Sequence, residues 1–360
     1  MRHKLSGLGE KQLMHIFMKL KRANPSMSKR IYFLLILLCA GCSAGTLKTI
    51  DSTLFLSSVD EKKTFVVMLG TGTPVPDRGR AGPSIAIVHG GKAIVFDAGS
   101  GVNQRLIEAW KSTGISALNP KNIEHIFLTH LHSDHTTGLP ALAAHYWWRR
   151  DKQLHLYGPT GTVALANGYE QFIAGDVALR TSGNQPVKDP NSYKIISKEY
   201  QTGGWQTSIN GITIQALNVP HGDIEPAFGY KITTPDSTIL ISGDTSASTT
   251  IATQAAGVDI LIHEVVTEAG LDQLDTFWKK YHSSSHTLSS ELAGIAQKSQ
   301  PRILVLNHVL YYQASAANAL EEVKSAYAGA VILAEDLMMI QSLRSVSSTH
   351  AKTAVQQLPK

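Results

Sequence analysis

Cysteine is nearly missing from this chain of 360 residues, in which Cys39 and Cys42 are the two that occur. Because both lie near the N-terminus, the rest of the chain has neither a disulfide framework nor a thiolate-based metal site. The apolar run at residues 31–38 is shorter than the stretch of about 20 residues that a transmembrane helix needs. No internal repeat of fixed period occurs, which excludes a solenoid.

Basic residues are scarce outside the N-terminal region. The whole chain has a formal net charge of +5, but residues 1–41 hold eight basic side chains and one acidic side chain, Glu10. Residues 42–360 therefore carry 25 basic and 27 acidic side chains, a net charge of −2, so a nucleic-acid partner is not expected. With 43% hydrophobic and 17% charged residues, the body is predicted to be one large globular domain or two small ones.

The N-terminal region has the features of an export signal. Residues 27–42, MSKRIYFLLILLCAGC, place Lys29 and Arg30 before an apolar run and small residues before Cys42. The closing CAGC resembles a bacterial lipoprotein cleavage box, with Cys39 where a leucine is usual. The resemblance implies that Cys42 becomes the lipidated first residue and that the chain is exported to the periplasm or cell envelope, held to the membrane by its lipid. A plain cleaved signal and an uncleaved anchor are the alternatives.

After this signal region, which spans residues 1–42, alternating strand and helix patterns indicate an α/β fold. Residues 43–63 are predicted to be a polar linker, residues 64–340 the folded domain and residues 341–360 a flexible tail. The predicted strands are residues 65–70, 84–96 with a turn at Gly90 and Gly91, 123–129, 153–158, 212–219, 228–233, 238–242, 258–263 and 302–307. The predicted helices are residues 103–112, 138–149, 161–174, 246–256, 287–299 and 315–326. Residues 175–208 have the least regular pattern.

Four potential metal ligands follow directly after the predicted strand at residues 123–129, namely His130, His132, Asp134 and His135. In an extended loop, side chains two residues apart point the same way, so His130 and His132 can face one space, while the other two lie where a helix would begin. Imidazole and carboxylate groups bind Zn²⁺, and neighbouring histidines are tolerated when they are neutral and bound to metal. A polar loop that happens to be rich in histidine is the alternative. Gly138, close behind, is predicted to let the chain turn away.

Three other predicted strands also end in potential ligands. His221 follows residues 212–219, Asp244 follows residues 238–242, and His308 follows residues 302–307. Taken singly, these are explained as a loop histidine, a helix N-cap and a core histidine. Because sites in open α/β sheets are built at strand ends, their occurrence together favours one shared metal site.

The order of these motifs, His-x-His-x-Asp-His, a lone His, Asp in SGDT and a final His, resembles that of the metallo-β-lactamase superfamily. The opening LGTGTPVPDRGRAGPS, followed by IVFDAGSG, is similar to the subset that contains ribonuclease Z, related phosphodiesterases and the zinc-dependent arylsulfatases. The resemblance covers roughly residues 64–335. It implies a single-domain, four-layer αββα sandwich.

The resemblance also implies a ligand set for two divalent ions, with Zn²⁺ expected first and Mn²⁺ as the alternative. One ion would be bound by His130, His132 and His221, the other by Asp134, His135 and His308, and Asp244 would bridge them. A metal-bound hydroxide would be the nucleophile. Asp134 is counted among the catalytic residues as well as the ligands.

Further residues receive roles from the same resemblance. Asp97 would support a metal-binding histidine from behind, with a turn cap before Gly99 as the alternative. His286 would act on the scissile group as an acid or electrostatic donor, with Glu264 supporting it, and a surface residue that caps the next helix is the alternative for His286.

Other histidines and the tryptophans carry weaker expectations. His263 and His282 are predicted to be structural. Two roles are possible for Trp147, Trp148 and Trp205. They could form an apolar wall for an aryl leaving group, or they could pack in the core.

The predicted function is that of an exported, dinuclear metal-dependent hydrolase of a small anionic ester, either a phosphodiester or an aryl sulfate. Lactam hydrolysis is disfavoured because the common β-lactamases use a cysteine ligand, which this chain lacks outside its signal region. Transfer-RNA processing is discounted because of the export signal and the slightly negative body. The alternatives are a ribonuclease Z-like endonuclease acting on RNA and a non-catalytic metal-binding lipoprotein, and a homodimer is left open.

Overall fold

The computed structural model describes residues 53–55, 60–343 and 352–358, so the predictions for residues 1–42, Cys42 included, lie outside the described residues. Sixteen strands occur in this part of the chain. They are β1 (Thr53–Phe55), β2 (Phe65–Gly70), β3 (Ser84–His89), β4 (Lys92–Phe96), β5 (His125–Phe127), β6 (Leu154–Pro159), β7 (Ile195–Tyr200), β8 (Gln206–Ile209), β9 (Ile212–Asn218), β10 (Phe228–Thr233), β11 (Thr238–Ile241), β12 (Ile260–Val266), β13 (Ile303–Leu310), β14 (Val331–Leu333), β15 (Met338–Leu343) and β16 (Lys352–Gln357).

Helices connect and cover these strands. They are α1 (Val102–Thr113), α2 (Ser133–Thr136), α3 (Leu139–Ala144), α4 (Thr162–Thr181), α5 (Thr249–Gln254), α6 (Glu268–Leu271), α7 (Thr276–Ser285), α8 (Ser289–Ser299) and α9 (Ala316–Ala326). Single turns of 3₁₀ helix occur at Ser116–Leu118, Pro120–Asn122 and Trp147–Arg149. Among the described helices, none combines the length and the apolar character needed to cross a membrane.

The strands form two mixed sheets. The first has the order β1-β16-β15-β2-β3-β4-β5-β6-β7, and the second has the order β14-β13-β12-β11-β10-β9-β8. Strands β4 to β7 run parallel to one another, as do β11 to β14. Because β10 is antiparallel to both β9 and β11, β9 points the same way as β11. The C-terminal ends of these strands therefore lie along one edge of each sheet.

Both faces of the central strands are buried, which is why they read as continuous apolar runs. In β2, Val66 and Met68 pack into the core between the two sheets, whereas Phe65, Val67 and Leu69 pack under helices of the outer layer. All six residues of this strand are buried. Burial of every residue along a strand is typical of a sheet that is packed on both faces. A sheet with one solvent-exposed face would show alternating burial.

Helices cover the outer face of each sheet. On the first sheet, α1, α3 and α4 contribute Leu106, Leu142 and Ile173 to one core cluster. On the second sheet, α8 and α9 contribute Leu292 and Val323 to another. The layers are thus helix, sheet, sheet and helix, and the predicted four-layer α/β sandwich is confirmed.

Strand occurs in the described part of the segment predicted as a flexible tail, residues 341–360. Strand β15 runs on to Leu343, and β16 pairs with it in antiparallel fashion. Strand β16 also pairs in parallel with β1, which lies inside the predicted linker at residues 43–63. The few apolar residues of the segment decide its placement, because Val355 is buried between the sheets and Leu358 packs under the helices.

Two helical predictions also change. Helix α4 continues to Thr181, beyond the predicted residue 174, and the predicted helix at residues 138–149 is split into α3 and a 3₁₀ turn. Helix α7 was not predicted, although a sequence signal for it exists. The Asp275 side chain accepts a hydrogen bond of 3.0 Å from the backbone N–H of Trp278, which is the capping contact expected of an aspartate at a helix start.

A buried carboxylate fixes the loop between β2 and β3. Asp336 accepts hydrogen bonds from the backbone N–H of Thr71 at 2.9 Å and of Ala81 at 2.6 Å. The Arg105 guanidinium donates to the same carboxylate at 2.9 Å. Because a buried charge is costly unless it is paired and hydrogen-bonded, this network holds both ends of the loop.

Candidate metal centre

The histidine cluster lies in the loop between β5 and α2. His130 is fully buried, and His132 occupies the N-cap position of α2. The Nε2 atom of His130 and the Nδ1 atom of His132 are 3.0 Å apart, so these two imidazoles face one space. Asp134 and His135 lie within the helix, so they leave the loop in a different direction.

Gly138 has a different role from the predicted one. Its backbone is in the ordinary right-handed region, with φ −82° and ψ −16°, so no special turn is needed there. A Cβ atom at this position would instead lie 2.0 Å from the carbonyl oxygen of Gly99. Glycine is therefore required because the chain after the cluster packs directly against the turn that follows β4.

The remaining candidate ligands come from three strand ends. His221 follows β9, Asp244 follows β11, and His308 lies near the end of β13. All three side chains are buried. Because these strands point the same way, their ends bring the three groups to the loop after β5.

Two groups of three donors result. The ligand atoms of His130, His132 and His221 lie within 4.8 Å of one another, and those of Asp134, His135 and His308 do the same. These are the two sets that the sequence resemblance implied. The structure thus brings together the predicted donors, which come from four separate segments of the chain.

Asp244 lies between the two groups. One of its carboxylate oxygens is 3.5 Å from His135 Nε2, and the other is 3.5 Å from His308 Nε2. It also forms a compact group of donors with His130 and His135. Its position is that expected of a bridging ligand.

Asp97 supports the cluster from behind. Its Oδ2 atom accepts a hydrogen bond of 2.9 Å from His135 Nδ1, which leaves Nε2 of that ring directed at the other donors. Its Oδ1 atom accepts from the backbone N–H of Thr129 at 2.8 Å. A carboxylate that orients a ligand histidine in this way fixes its tautomer. His221 is oriented by a backbone group instead, since its Nδ1 donates to the carbonyl oxygen of Ser285 at 2.8 Å.

Strained backbone occurs at the centre. Asp97 has φ 58° and His308 has φ 46°, both in the left-handed region that side-chain-bearing residues rarely adopt. Each such residue costs about 1 to 3 kcal/mol, and such strain is concentrated at functional sites. The surrounding sheets hold both side chains in place despite this cost.

The electrostatics differ between the two groups. Burial lowers the pKa of His130 well below its ordinary value, and burial also lowers the pKa of His132 and His221. Burial acts in the same direction on His135 and His308, but the neighbouring carboxylates together outweigh it and raise the pKa of both. They are Asp244 and Asp97 at His135, and Asp244 and Asp134 at His308. Burial would raise the pKa of Asp244, but His308 and His135 hold it well below its ordinary value.

This donor set fits divalent cations. The three neutral imidazoles of the first group offer lone pairs, and the carboxylates of Asp134 and Asp244 require positive charge beside them. The buried Nε2 atom of His135 has no hydrogen bond, with Asp134 at 3.4 Å and Asp244 at 3.5 Å. A buried imidazole nitrogen that has no hydrogen bond and lies between two carboxylates is typical of a metal ligand. The arrangement of the donors fits two divalent ions.

His286 and Glu264 lie beside the centre. The Nδ1 atom of His286 is 3.4 Å from Glu264 Oε2. The other oxygen of Glu264 accepts from the backbone N–H of Thr287 at 2.9 Å and of Thr245 at 3.2 Å. The His286 ring lies 5.2 Å from the ring of His221 and 6.1 Å from that of His308. The two residues are thus placed as the resemblance implied, and their catalytic roles remain predictions.

A cavity of about 930 Å³ opens beside the centre. Its lining includes His132, Asp134, Asp244 and His286 from the centre, and Arg78 from the loop between β2 and β3. The rest of the lining combines residues 73–77 of the same loop and aliphatic side chains with a group of aromatic rings, Trp278, Tyr281, His282, Tyr311 and Tyr312. A hydrolytic site with this cavity can accept a substrate much larger than a phosphate group.

This wall bears on two of the sequence predictions. His282 was predicted to be structural, yet it lines the cavity, and burial lowers its pKa to about 4. Trp147 belongs to the outer core, and Trp205 stacks on Tyr200 with ring centroids 3.9 Å apart. The core alternative thus holds for both, and the aromatic side chains at the site come from α7 and from the end of β13 instead.

The fold is a sandwich of two sheets with histidine and aspartate donors at the strand ends. This combination is typical of the metal-dependent hydrolases. The family model described as the metallo-beta-lactamase superfamily matches residues 77–308. The chain belongs to the metallo-beta-lactamase superfamily, as its motifs predicted, and is a metal-dependent hydrolase of it.

Among curated relatives, a ribonuclease Z from Mycobacterium sp. (strain KMS) is 31% identical over 252 residues, which cover 68% of this chain and 84% of the relative. Among solved structures, the metallo-beta-lactamase fold protein YhfI from Bacillus subtilis is 18% identical with a TM-score of 0.59, covering 77% of this chain and 98% of its own. The short form of human tRNase Z is 23% identical with a TM-score of 0.52, covering 76% and 98%. These two structures share the fold.

Proposed function

We propose that this chain hydrolyses a small phosphodiester. The observation that carries the proposal is the convergence of two groups of three donors on Asp244, beside a cavity of about 930 Å³. The curated relative named ribonuclease Z supports a phosphorus ester over a sulfate ester, because a ribonuclease breaks phosphodiester bonds. The predicted aryl sulfate substrate has no such support and is kept as an outcome of the test.

We further propose that the resident ions are Zn²⁺, since five imidazoles and two carboxylates are ligands that zinc accepts readily. His130, His132 and His221 would hold one ion, Asp134, His135 and His308 the other, and Asp244 would contact both. When bound, two such ions supply Lewis acidity at the ester and lower the pKa of water to about 7.

The chain's own residues then have distinct tasks. Hydrolysis adds water across one P–O bond, and the departing oxygen takes up a proton. We assign that proton to His286, because its Nδ1 atom is turned toward Glu264 Oε2 and its Nε2 atom is left for the substrate. Glu264 acts through His286 and is a positioning residue.

The cavity favours a small anionic ester over RNA. Among the described residues that line it, Arg78 is the sole arginine or lysine. One cation suits one phosphodiester anion, whereas RNA binding needs several cations along the backbone. The relative's name nevertheless makes RNA hydrolysis the second candidate.

Four substrates separate these candidates. The purified, zinc-loaded protein is expected to cleave bis-p-nitrophenyl phosphate with a kcat/KM about 100-fold above that for p-nitrophenyl sulfate, and to leave a single-stranded RNA and a transfer-RNA precursor intact. A higher kcat/KM for the sulfate would make the enzyme a sulfatase, and cleavage of either RNA would make it a ribonuclease. No turnover with metal bound would favour a non-catalytic metal-binding lipoprotein.

We also propose that the enzyme is exported and held in the cell envelope by a lipid on Cys42. The support is the order of basic, apolar and small residues before that cysteine. Mass spectrometry of the mature N-terminus is expected to show a diacylglyceryl group on Cys42, and the mass of an unmodified cysteine would reject the lipid. Replacing Cys42 by serine is expected to release the protein from membranes.

A further inference from the structure

Helix α7 presents a row of rings to the cavity beside the metal centre. We infer that the row formed by Trp278, His282 and His286 is the binding subsite for a flat aromatic leaving group of the phosphodiester. The inference rests on the proposed function and names the substrate class that the same site would select.

The row follows from helical spacing. The three residues are four apart, so their side chains share one face of α7 and of the turn that ends it. The ring centroids of Trp278 and His282 are 5.7 Å apart with an interplanar angle of 23°, and those of His282 and His286 are also 5.7 Å apart. The row thus begins at the cavity mouth and ends beside the donors.

The inner end of the row lies where the leaving group departs. The His286 ring is nearly parallel to that of His308, at 6.1 Å and 15°. If His286 protonates the leaving oxygen, the group bonded to that oxygen must lie next to His286. The next ring along α7 is His282, which therefore meets the first ring of an aryl ester.

Further aromatic rings lie beside the row. The Tyr312 ring, from the segment after β13, lies 4.9 Å from that of His282, and the ring of Tyr281, on α7 itself, lies 5.9 Å from that of Trp278. Tyr312 adopts φ 48°, a left-handed conformation that its surroundings must enforce. Aromatic rings attract one another in offset or edge-on geometries, so a flat ring is the ligand that these walls recognise.

The exposure of aromatic side chains at the cavity mouth also supports an aromatic ligand. Trp278 is 47% and Tyr281 is 40% exposed, although large apolar side chains are usually covered. Phe277, on the same helix, is 72% exposed but does not line the cavity, and it serves as a matched control. Burial of Trp278 by a substrate ring would give this exposed surface a function.

Binding of three phosphorus anions to the zinc-loaded full chain tests the inference by calorimetry. Methylphosphonate has no ring, phenylphosphonate carries a ring directly on phosphorus, and thymidine 5′-monophosphate carries one beyond a sugar. Phenylphosphonate is expected to bind about tenfold more tightly than methylphosphonate. A preference for the thymidine ester over both would show that the ring reaches Trp278 through a sugar, which also supports the subsite.

Three variants test whether the row of rings causes the tighter binding of ring-bearing anions. Trp278→Leu is expected to reduce the preference for the ring to about threefold or less, whereas Trp278→Phe and Phe277→Leu keep it. Equal binding of the ringless and ring-bearing anions by the wild-type protein would overturn the subsite alone, as would a preference unchanged in Trp278→Leu. Failure of all three anions to bind would overturn the proposed function, and the subsite with it.

Discussion

Replacement of Asp244 by alanine is expected to lower kcat/KM for bis-p-nitrophenyl phosphate by about 10³-fold or more. Its carboxylate oxygens lie 3.5 Å from His135 Nε2 and 3.5 Å from His308 Nε2, both in the second group of donors. Asp244 also forms a compact set of donors with His130 of the first group. Without it, the ligand that the two groups share is gone, and two buried imidazoles lose their nearest counter-charge. Steady-state kinetics on protein loaded with equal concentrations of zinc measure the loss.

Two variants make this result interpretable. Asp244→Asn keeps the shape of the side chain but removes its charge, and we expect it to be almost as impaired as the alanine variant. Asp151→Ala removes an exposed carboxylate that pairs with Lys188 at 2.7 Å, and its kcat/KM is expected to stay within about twofold of wild type. If Asp244→Ala retained more than about a tenth of the wild-type kcat/KM, the bridging role would be wrong.

Replacement of His286 by alanine is expected to slow the hydrolysis of diphenyl phosphate by about 100-fold or more. Phenoxide is a poor leaving group and needs a proton as it departs, whereas p-nitrophenoxide needs that proton much less. The rate with bis-p-nitrophenyl phosphate is therefore expected to fall far less in the same variant. Rates of phenol and nitrophenol release at saturating substrate give the comparison.

The dependence on leaving group separates an acid from a structural residue. Glu264→Gln is expected to show the same pattern in weaker form, because Glu264 Oε2 lies 3.4 Å from His286 Nδ1 and acts through it. His155→Ala, in β6, is the histidine control and is expected to leave both rates unchanged. Equal losses with the two esters in His286→Ala would show that His286 is not the proton donor.

The donors of the centre could be predicted from the sequence because each of them is tied to a local pattern. His130 and His132 stand two apart after a strand, and His221, Asp244 and His308 each follow an apolar run. Parallel strands bring their C-terminal ends to one edge of a sheet. Ligands at those ends are therefore expected to lie together. The alternation of strands and helices predicted the α/β class, and the resemblance to the metallo-β-lactamase superfamily implied its four layers.

Features that depend on distant pairing could not be predicted. Strand β16 is polar and resembles a tail, and its position is set by pairing with β15 and β1 and by burial of Val355. The need for glycine at residue 138 also comes from a distant contact, since a Cβ there would meet the carbonyl oxygen of Gly99. No local sequence pattern predicts either of these long-range contacts.

The aromatic cavity was missed for a related reason. Helix α7 has polar residues between its aromatic ones, so Trp278 and His282 have no pattern that separates a cavity wall from a solvated helix face. Their role depends on Tyr312 and Arg78, which reach the same cavity from other segments of the chain. The capping residue Asp275 could have revealed the helix, but not what it faces.

Metal analysis of the wild-type chain beside Asp244→Ala tests most directly whether seven side chains seat a pair of ions. Inductively coupled plasma mass spectrometry on protein dialysed against trace zinc is expected to find about two zinc equivalents per wild-type chain and fewer than two in the variant. One equivalent or none in the wild-type chain, or two retained in the variant, would contradict the account.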